Sequence, residues 1–284
     1  NRNNFLERVQ SVEYKIITPS DEKYPKKLKE RLGSECPPKL YYHGPLEFLD
    51  KFTMSVISAD SIGGEGLMAA NQVLFTIREY AMNYLGPWQS VMETEIFRLG
   101  LWKKCHNTVT LFSVKGLAVE TYESFLLDRF YPPMDKFPES DEYFRRAKEC
   151  DLLMLSIADP DERKQKHGNI IQRNWIACNL GNIIFIPYGV KGSKTFTVAK
   201  RLVKTNIPIF TTDSGINKDL HELGIKGYNR NTIKEFLEKN GAKKWIEEGK
   251  QSEKGEKYNE KKIESELFVK DQPFQSNLFN DNKK

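Results

Sequence analysis

From Thr53 onward, short β-branched runs alternate with longer segments of helical periodicity. This alternation constrains the fold more than any other feature, because it is typical of a parallel sheet covered by helices. The predicted strands are Thr53–Ser58, Thr108–Val114, Leu152–Ile157, Asn182–Pro187 and Ile207–Thr211. The predicted helices are Leu67–Tyr84, Glu93–Lys104, Glu120–Asp128, Asp141–Lys148, Asn169–Leu180, Thr195–Thr205 and Asn231–Asn240. The strands are apolar on both sides, so we expect an α/β fold with a doubly wound, mostly parallel sheet and helices on both faces.

Composition narrows the class of protein. Hydrophobic residues make up 39% of the 284 residues, which is enough for a sizeable core and excludes wholesale disorder. A net charge of +5 permits a nucleic-acid partner without requiring one. The longest apolar runs fall far short of the roughly 20 residues of a membrane helix, and the start has no signal-peptide pattern, so we expect a cytoplasmic protein without a membrane partner.

The chain is expected to have three parts. Residues 1–50, with their prolines, predict a small irregular lead-in packed on the core. Residues 51–242 carry the alternating pattern and predict the main domain. Residues 243–284 are rich in Lys, Glu, Gln, Ser and Asn, which predicts a charged and mobile tail.

The sequence lacks the usual catalytic motifs. It has no G-x-S-x-G elbow, no G-x-x-x-x-G-K-[ST] phosphate loop and no H-E-x-x-H helix. Four widely spaced cysteines without a C-x-x-C pair argue against a zinc cluster and a disulfide framework. We therefore expect no catalytic residues, no metal and no cofactor, although the sequence leaves the question of enzymatic activity open.

Two loops are candidates for ligand binding at the carboxyl ends of strands. The first is glycine-rich and reads Ser58-Ala59-Asp60-Ser61-Ile62-Gly63-Gly64-Glu65-Gly66. The second reads Tyr188-Gly189-Val190-Lys191-Gly192-Ser193-Lys194-Thr195 and could cradle a phosphate at a helix start. A plain capped turn is an equal alternative for the second loop.

Two proline motifs precede these loops, Tyr24-Pro25-x-x-Leu28 and Pro37-Pro38-Lys39-Leu40-Tyr41-Tyr42-x-Gly44. They resemble Y-P-x-x-L and P-P-x-L-Y-x-x-G elements, and together with the order of segments they resemble the DprA/Smf family of DNA-processing proteins. The glycine-rich loop is similar to V-G-S-R-x-x-S-x-x-G, Arg173-Asn174-Trp175 falls on R-N-R, and Lys191-Gly192-Ser193 falls on S-G-S. The similarity spans about residues 14 to 242. It implies a Rossmann-like SLOG-type domain in a bacterial protein that forms a homodimer, binds single-stranded DNA and helps to load a RecA-type recombinase without catalytic turnover.

Several positions depart from the family pattern. Where the family has G-S-R, this chain has Ser58-Ala59-Asp60, so an anion replaces a phosphate-binding cation. The family's G-I-D-x-x-A-H aligns with residues 91–97, where the acid survives as Glu93 and the histidine becomes Phe97. The second arginine of R-N-R is Trp175, which could stack on a base or belong to the core.

These residues support two hypotheses, a site for nucleic acid and a site for a small nucleotide-derived ligand. In the first hypothesis, cations pair with phosphates, Gly192 and Ser193 offer backbone amides, and Asn174 fixes the geometry. The candidate residues are Ser58, Asp60, Gly66, Glu93, Lys166, Arg173, Asn174, Lys191, Gly192, Ser193 and Lys194. In the alternative, the domain senses a nucleotide or nucleotide-derived signal, and Asp60 or Glu93 accepts hydrogen bonds from a ribose. A third possibility is a scaffold that has lost its ligand.

The tail contains Gln275-Ser276-Asn277-Leu278-Phe279, which resembles the Q-x-x-L-F peptides that dock on bacterial sliding clamps. In such a peptide, Leu278 and Phe279 would fill a hydrophobic pocket and Gln275 would bond at its rim. A turn that covers an apolar patch is the alternative.

Overall fold

A mixed sheet forms the centre of the computed structural model, which describes residues 13–101, 107–128, 134–149, 152–164 and 167–245. The strands are β1 (Lys15–Ile17), β2 (Leu40–His43), β3 (Thr53–Val56), β4 (Tyr80–Ala81), β5 (Asn83–Gly86), β6 (Thr108–Ser113), β7 (Leu153–Ser156), β8 (Ile183–Phe185), β9 (Ile209–Thr212), β10 (Lys226–Tyr228) and β11 (Lys243–Lys244). The helices are α1 (Lys26–Leu32), α2 (Gly64–Ile77), α3 (Val91–Leu101), α4 (Tyr122–Asp128), α5 (Ser140–Lys148), α6 (His167–Leu180), α7 (Lys194–Leu202), α8 (Lys218–Glu222) and α9 (Ile233–Lys239).

The sheet has the strand order β1-β2-β7-β6-β5-β3-β8-β9-β10. The strands from β7 to β10 in this order are parallel, whereas β1 and β2 join the edge at β7 in antiparallel pairs. The chain passes from β3 through β5 and β6 to β7 and then returns to β8 on the other side of β3. The order therefore reverses between β3 and β8, which is the topological switch point of a doubly wound sheet.

Successive residues of the central strands pack on opposite faces of the sheet, as a parallel sheet buried on both sides requires. In β3, Met54 and Val56 belong to one apolar cluster, and the following Ile57 belongs to the other. In β8, Phe185 faces the first cluster and Ile184 the second. The predicted α/β fold is thus confirmed, and helices cover both faces.

One predicted helix is wrong in its second half. The sequence predicted a helix over Leu67–Tyr84, but α2 ends at Ile77 and the chain then forms β4 and β5. The apolar residues after Ile77 fit either period, since short apolar runs do not distinguish a buried strand from a helix. Pairing with β3 and β6 decides for the strand.

The lead-in, predicted as irregular, contains two strands and a helix. Helix α1 lies against the carboxyl end of α6, where the Arg31 guanidinium donates to the carbonyl oxygens of Asn179 at 2.7 Å and Gly181 at 2.6 Å. These are carbonyls that a helix end leaves without intrahelical partners, and a cation there also complements the helix dipole. Lys27 Nζ donates to Asn182 Oδ1 at 2.7 Å in the same contact. The lead-in is therefore an integral part of the sheet and of its second apolar cluster.

Within the described residues, no helix is long and apolar enough to span a membrane.

The Lys27 contact makes a pH-dependent contribution to stability. Burial, together with the charge of Arg31, lowers the pKa of Lys27 from 10.5 to about 8. The unfolded chain therefore binds more protons than the folded one between these two values, so the free energy of unfolding rises as pH increases from 8 to 10.5. We expect wild type to gain up to about 3 kcal/mol relative to Lys27→Met over this interval, measured by urea denaturation. Lys26→Met, at an exposed neighbour, is the control and should track wild type. A Lys27→Met difference that is independent of pH would contradict the prediction.

Candidate nucleic-acid interface

The two candidate loops meet at the switch point. The segment after β3 and the segment after β8 are joined by backbone hydrogen bonds, from Ile57 N–H to the Phe185 carbonyl at 3.3 Å and from Ala59 N–H to the Tyr188 carbonyl at 2.9 Å. The carboxyl ends of β5, β6, β7 and β9 lie along the same edge, because these strands are parallel. This edge is where doubly wound sheets bind their ligands.

The loop after β8 has the features of an anion-binding turn. Gly192 has φ of 89°, a conformation that favours glycine, and Ser193 caps α7 by accepting a hydrogen bond from Phe196 N–H at 3.0 Å. Lys191 is exposed, whereas Lys194 at the start of α7 is half-buried. The structure thus brings four of the predicted residues, Lys191 to Lys194, together at one helix start.

Carboxylates of α8 already contact this loop. Lys191 Nζ lies 2.6 Å from Glu222 Oε2 and 3.6 Å from Asp219 Oδ1, and its backbone N–H donates to Asp219 Oδ2 at 2.8 Å. The hydrogen bond with Glu222 raises the pKa of Lys191, and the backbone N–H of Lys191 lowers the pKa of Asp219. The Lys191 and Glu222 side chains are 61% and 59% exposed, so solvent and salt screen this ion pair and a phosphate can compete for the lysine.

The loop after β7 adds charges of both signs. Arg163 and Lys164 are exposed, and so are Asp159 and Asp161. The predicted Lys166 lies outside the described residues. The described residues 159–164 thus carry three carboxylates and two cations, whereas the β8 loop, residues 188–195, carries two cations and no carboxylate of its own.

The glycine-rich loop after β3 lies at the edge but presents no cation. Asp60 is exposed at its tip. Gly66 is buried, and a Cβ there would lie 2.0 Å from Ile216 Cδ1, so a larger residue would force the Ile216 side chain to move from its contact with α2. The Ser58 backbone N–H points to the Glu93 carboxylate, at 2.8 Å.

Glu93 is buried and its carboxylate is held by backbone groups. Oε1 accepts from Ser58 N–H, and Oε2 accepts from Gln89 N–H at 2.7 Å and Ser90 N–H at 3.0 Å. Burial raises the pKa of Glu93, while these three hydrogen bonds and the charge of Arg173 oppose the rise. The structure thus places Glu93 inside the protein and not on a surface that faces a ribose.

Arg173 and Asn174 are also buried, at 1% and 5% exposure. The Arg173 guanidinium donates to the Phe112 carbonyl at 2.8 Å, to Asn174 Oδ1 at 2.8 Å and to Gln89 Oε1 at 3.2 Å. It therefore ties α6 to the end of β6 and to the loop after β5. Direct contact with a DNA backbone requires an exposed side chain, whereas Arg173 and Asn174 are buried.

Trp175, the other residue of this motif, belongs to the core. It is 9% exposed, and the guanidinium carbon of Arg201 lies 4.0 Å from the centre of its ring. The Trp175 ring therefore stacks on Arg201 and does not present an open face to a base.

A polar cavity of about 200 Å³ lies beside Arg173, at the ends of β6 and β7. Its walls include Asp159, Glu162 and Gln172. This volume is below the roughly 300–1,000 Å³ of most small-molecule sites.

Sequence reasoning missed how Glu93 is held. Ser90 precedes α3 and Glu93 is its third residue, and the two exchange hydrogen bonds, since Ser90 Oγ accepts from Glu93 N–H at 3.2 Å. This is a capping box, and its S-x-x-E pattern is visible in the sequence. Asp219 carried no comparable signal, because its contact with Lys191 spans 28 residues.

The fold and this edge define a Rossmann-like α/β protein with a basic turn at the switch point of its sheet. The family model for DNA recombination-mediator protein A matches residues 15–83. The structure is similar to DNA processing protein A (DprA) from Streptococcus pneumoniae, with 18% identity and a TM-score of 0.59, over 81% of this chain and 75% of that one. It is also similar to DNA processing protein A from Helicobacter pylori, in a structure that concerns its single-stranded DNA binding mode, with 17% identity and a TM-score of 0.59, over 80% of this chain and 97% of that one. No curated protein matches the sequence.

These findings confirm the resemblance to the DprA/Smf family. The family's own model covers the segment that carries the Y-P-x-x-L and P-P-x-L-Y elements, and the fold is that of the solved DprA structures.

The buried position of Arg173 leads to a prediction about stability. Arg173→Met leaves the buried Glu93 carboxylate without its nearby cation and the Phe112 carbonyl without this donor. We expect the free energy of unfolding to fall by about 3–5 kcal/mol, measured by chemical denaturation. Arg201→Met removes an exposed guanidinium that pairs with Glu35 at 3.2 Å, and it should cost much less. Equal, small losses in both variants would show that the Arg173 contacts do not stabilise the fold.

Proposed function

We propose that this protein binds single-stranded DNA along the carboxyl edge of its sheet and acts in DNA processing, recombination or defence without catalytic turnover. The family segment at residues 15–83 and the DprA-like fold support this proposal. The single-stranded DNA binding described for the Helicobacter pylori protein supports the choice of ligand.

The observation that carries the proposal is the turn between β8 and α7. Lys191 and Lys194 flank Gly192 and Ser193 at the beginning of a helix, next to the switch point. Phosphate is favoured there by lysine charge, by backbone N–H groups and by the helix dipole together. Lys191 then exchanges Glu222, which is exposed, for a phosphate oxygen.

The buried candidates have a different role in this proposal. Arg173 and Asn174 fix α6 and the loop after β5 and do not contact DNA. Ser58 holds Glu93 through its backbone, and Gly66 permits the packing of α2. Asp60 repels a phosphate backbone, so its removal strengthens binding.

A nucleotide or nucleotide-derived signal is the second candidate ligand. The polar cavity beside Arg173 favours it, since Gln172 on its wall can hydrogen-bond to a base or a sugar, whereas Asp159 and Glu162 disfavour a phosphate there. Its volume of about 200 Å³ suits a part of a nucleotide better than a whole one.

A salt series with a labelled single-stranded oligonucleotide separates the two ligands. The logarithm of affinity for single-stranded DNA falls with the logarithm of salt concentration by about 0.7 for each phosphate that is neutralised. We therefore expect Lys191→Gln with Lys194→Gln to reduce this slope by about 1.4 and to weaken binding. Lys234→Gln, an exposed lysine on α9 with its own ion pair to Glu238, is the control and should leave the slope unchanged.

The same titration includes Asp60→Asn and free mononucleotides as competitors. Asp60→Asn should tighten DNA binding. A shallow salt dependence with ready competition by a mononucleotide would support the sensor instead, and no binding of either ligand would overturn both proposals.

We also propose that the protein acts as a homodimer and meets a RecA-type recombinase and a sliding clamp. The clamp proposal depends on Gln275, Leu278 and Phe279, which lie outside the described residues. A peptide of residues 271–284 should bind a bacterial clamp in a titration, and the Leu278→Ala, Phe279→Ala peptide should not. Equal, negligible binding by both peptides would eliminate the clamp proposal.

A further inference from the structure

Three backbone N–H groups from two loops converge on one side chain at the switch point. The Ser58 N–H comes from the loop after β3, and those of Gln89 and Ser90 come from the loop after β5. Their distances to the Glu93 oxygens are 2.8, 2.7 and 3.0 Å. A capping box accounts only for the Ser90 contact, because the other two donors lie outside the box.

The backbone before these donors is held in an unfavourable conformation. Among the described residues, Trp88 is the one residue other than glycine with positive φ, at 54°. A left-handed residue next to right-handed ones turns successive N–H groups toward one point and forms an anion-binding nest. Trp88 is held there because its indole N–H donates to the Thr110 carbonyl at 3.0 Å and its ring packs against Phe97. Such backbone strain is unfavourable and persists where surrounding contacts impose it.

We propose that Glu93 is a positioning residue whose carboxylate fills an anion site built by the chain itself, where it stands in place of a ligand anion and holds the two loops together. The site has backbone donors, the start of α3 and the nearby charge of Arg173, which are the elements that hold a bound phosphate in other proteins. Gln89 links the two charges, since its N–H donates to Glu93 and its side-chain oxygen accepts from Arg173.

The burial of Glu93 decides what this site does for a nucleic acid. The side chain is 2% exposed, so a phosphate group cannot approach these N–H groups while Glu93 is in place. This consequence rests on the proposed function: DNA phosphates contact the β8 loop, and Glu93 acts on binding only by fixing the loops beside it.

Chemical rescue tests the anion site without any nucleic acid. Glu93→Ala removes the carboxylate and leaves the three donors around a small hole. Sodium formate should then raise the thermal midpoint of the variant above its value in sodium chloride at equal ionic strength. If 100 mM formate is about ten times its Kd, the rise is about 3 °C.

Glu120→Ala is the matched control. Glu120 is also 2% exposed, but its carboxylate contacts the Ser113 hydroxyl, and Lys115 Nζ lies 3.8 Å away. Formate should stabilise this variant less than Glu93→Ala, because side-chain donors that can move away replace a fixed set of three backbone N–H groups, and it should stabilise wild type no more than chloride does. Equal effects of formate on all three proteins, or none on Glu93→Ala, would overturn the proposal.

Hydrogen exchange keeps the test decisive if Glu93→Ala does not fold. Glu93→Gln keeps the shape of the side chain but replaces one acceptor oxygen with a donor. The amide protons of Gln89, Ser90 and Ser58 should then exchange faster than in wild type, while Glu120→Gln leaves them unchanged. Unchanged exchange at these three amides in Glu93→Gln would contradict the assignment.

Oligonucleotide binding separates this inference from the proposed function. Glu93→Gln should weaken binding without changing its salt slope, whereas the Lys191 and Lys194 substitutions should change the slope. If wild type binds no oligonucleotide, the proposed function fails while the formate and exchange results still decide the anion site. If wild type binds and Glu93→Gln changes the slope, Glu93 contacts the ligand's charge and is not a positioning residue.

Discussion

The arrangement of the sheet's carboxyl edge depends on two buried groups that lie near each other, the Glu93 carboxyl group and the Arg173 guanidinium. Neither group can be buried alone, because an isolated charge in the interior is strongly destabilising. Each is therefore hydrogen-bonded to the backbone. Glu93 accepts from N–H groups of two loops, and Arg173 donates to the Phe112 carbonyl. The ends of β3, β5 and β6 and the middle of α6 are fixed to each other as a result.

The same physics separates the residues that shape the edge from those that can meet a ligand. If a buried cation such as Arg173 moved to a phosphate, its protein acceptors would be left buried without hydrogen bonds, which costs much free energy. An exposed pair such as Lys191 with Glu222 exchanges at little cost. The β8 loop can therefore meet an anion more readily than the Arg-Asn motif, although each matches two of three residues of the family pattern.

The sequence predicted the central parallel strands because a strand that is buried on both faces has a continuous run of apolar residues, as in the segment around β8. It failed at β5, whose residues fit a continued helix equally well until β3 and β6 supply its partners. The loop residues were found by their glycines and lysines, which are local signals. The burial of Arg173 was not predictable in this way, because its acceptors at Phe112 and Gln89 lie 61 and 84 residues away.

Contacts from the lead-in complete the support of this edge. Helix α6 carries Arg173 in its middle, and its carboxyl end is capped by Arg31 of α1, within the segment that matches the family model. A helix held at its end by a cation and in its middle by the hydrogen bonds of a buried guanidinium has little freedom to rotate or shift along its axis. The lead-in thus fixes the helix from which Arg173 reaches the loop after β5, although the Arg31 contact lies at the opposite ends of the strands. This connection gives a physical reason why the lead-in and the carboxyl edge of the sheet belong to one folding unit.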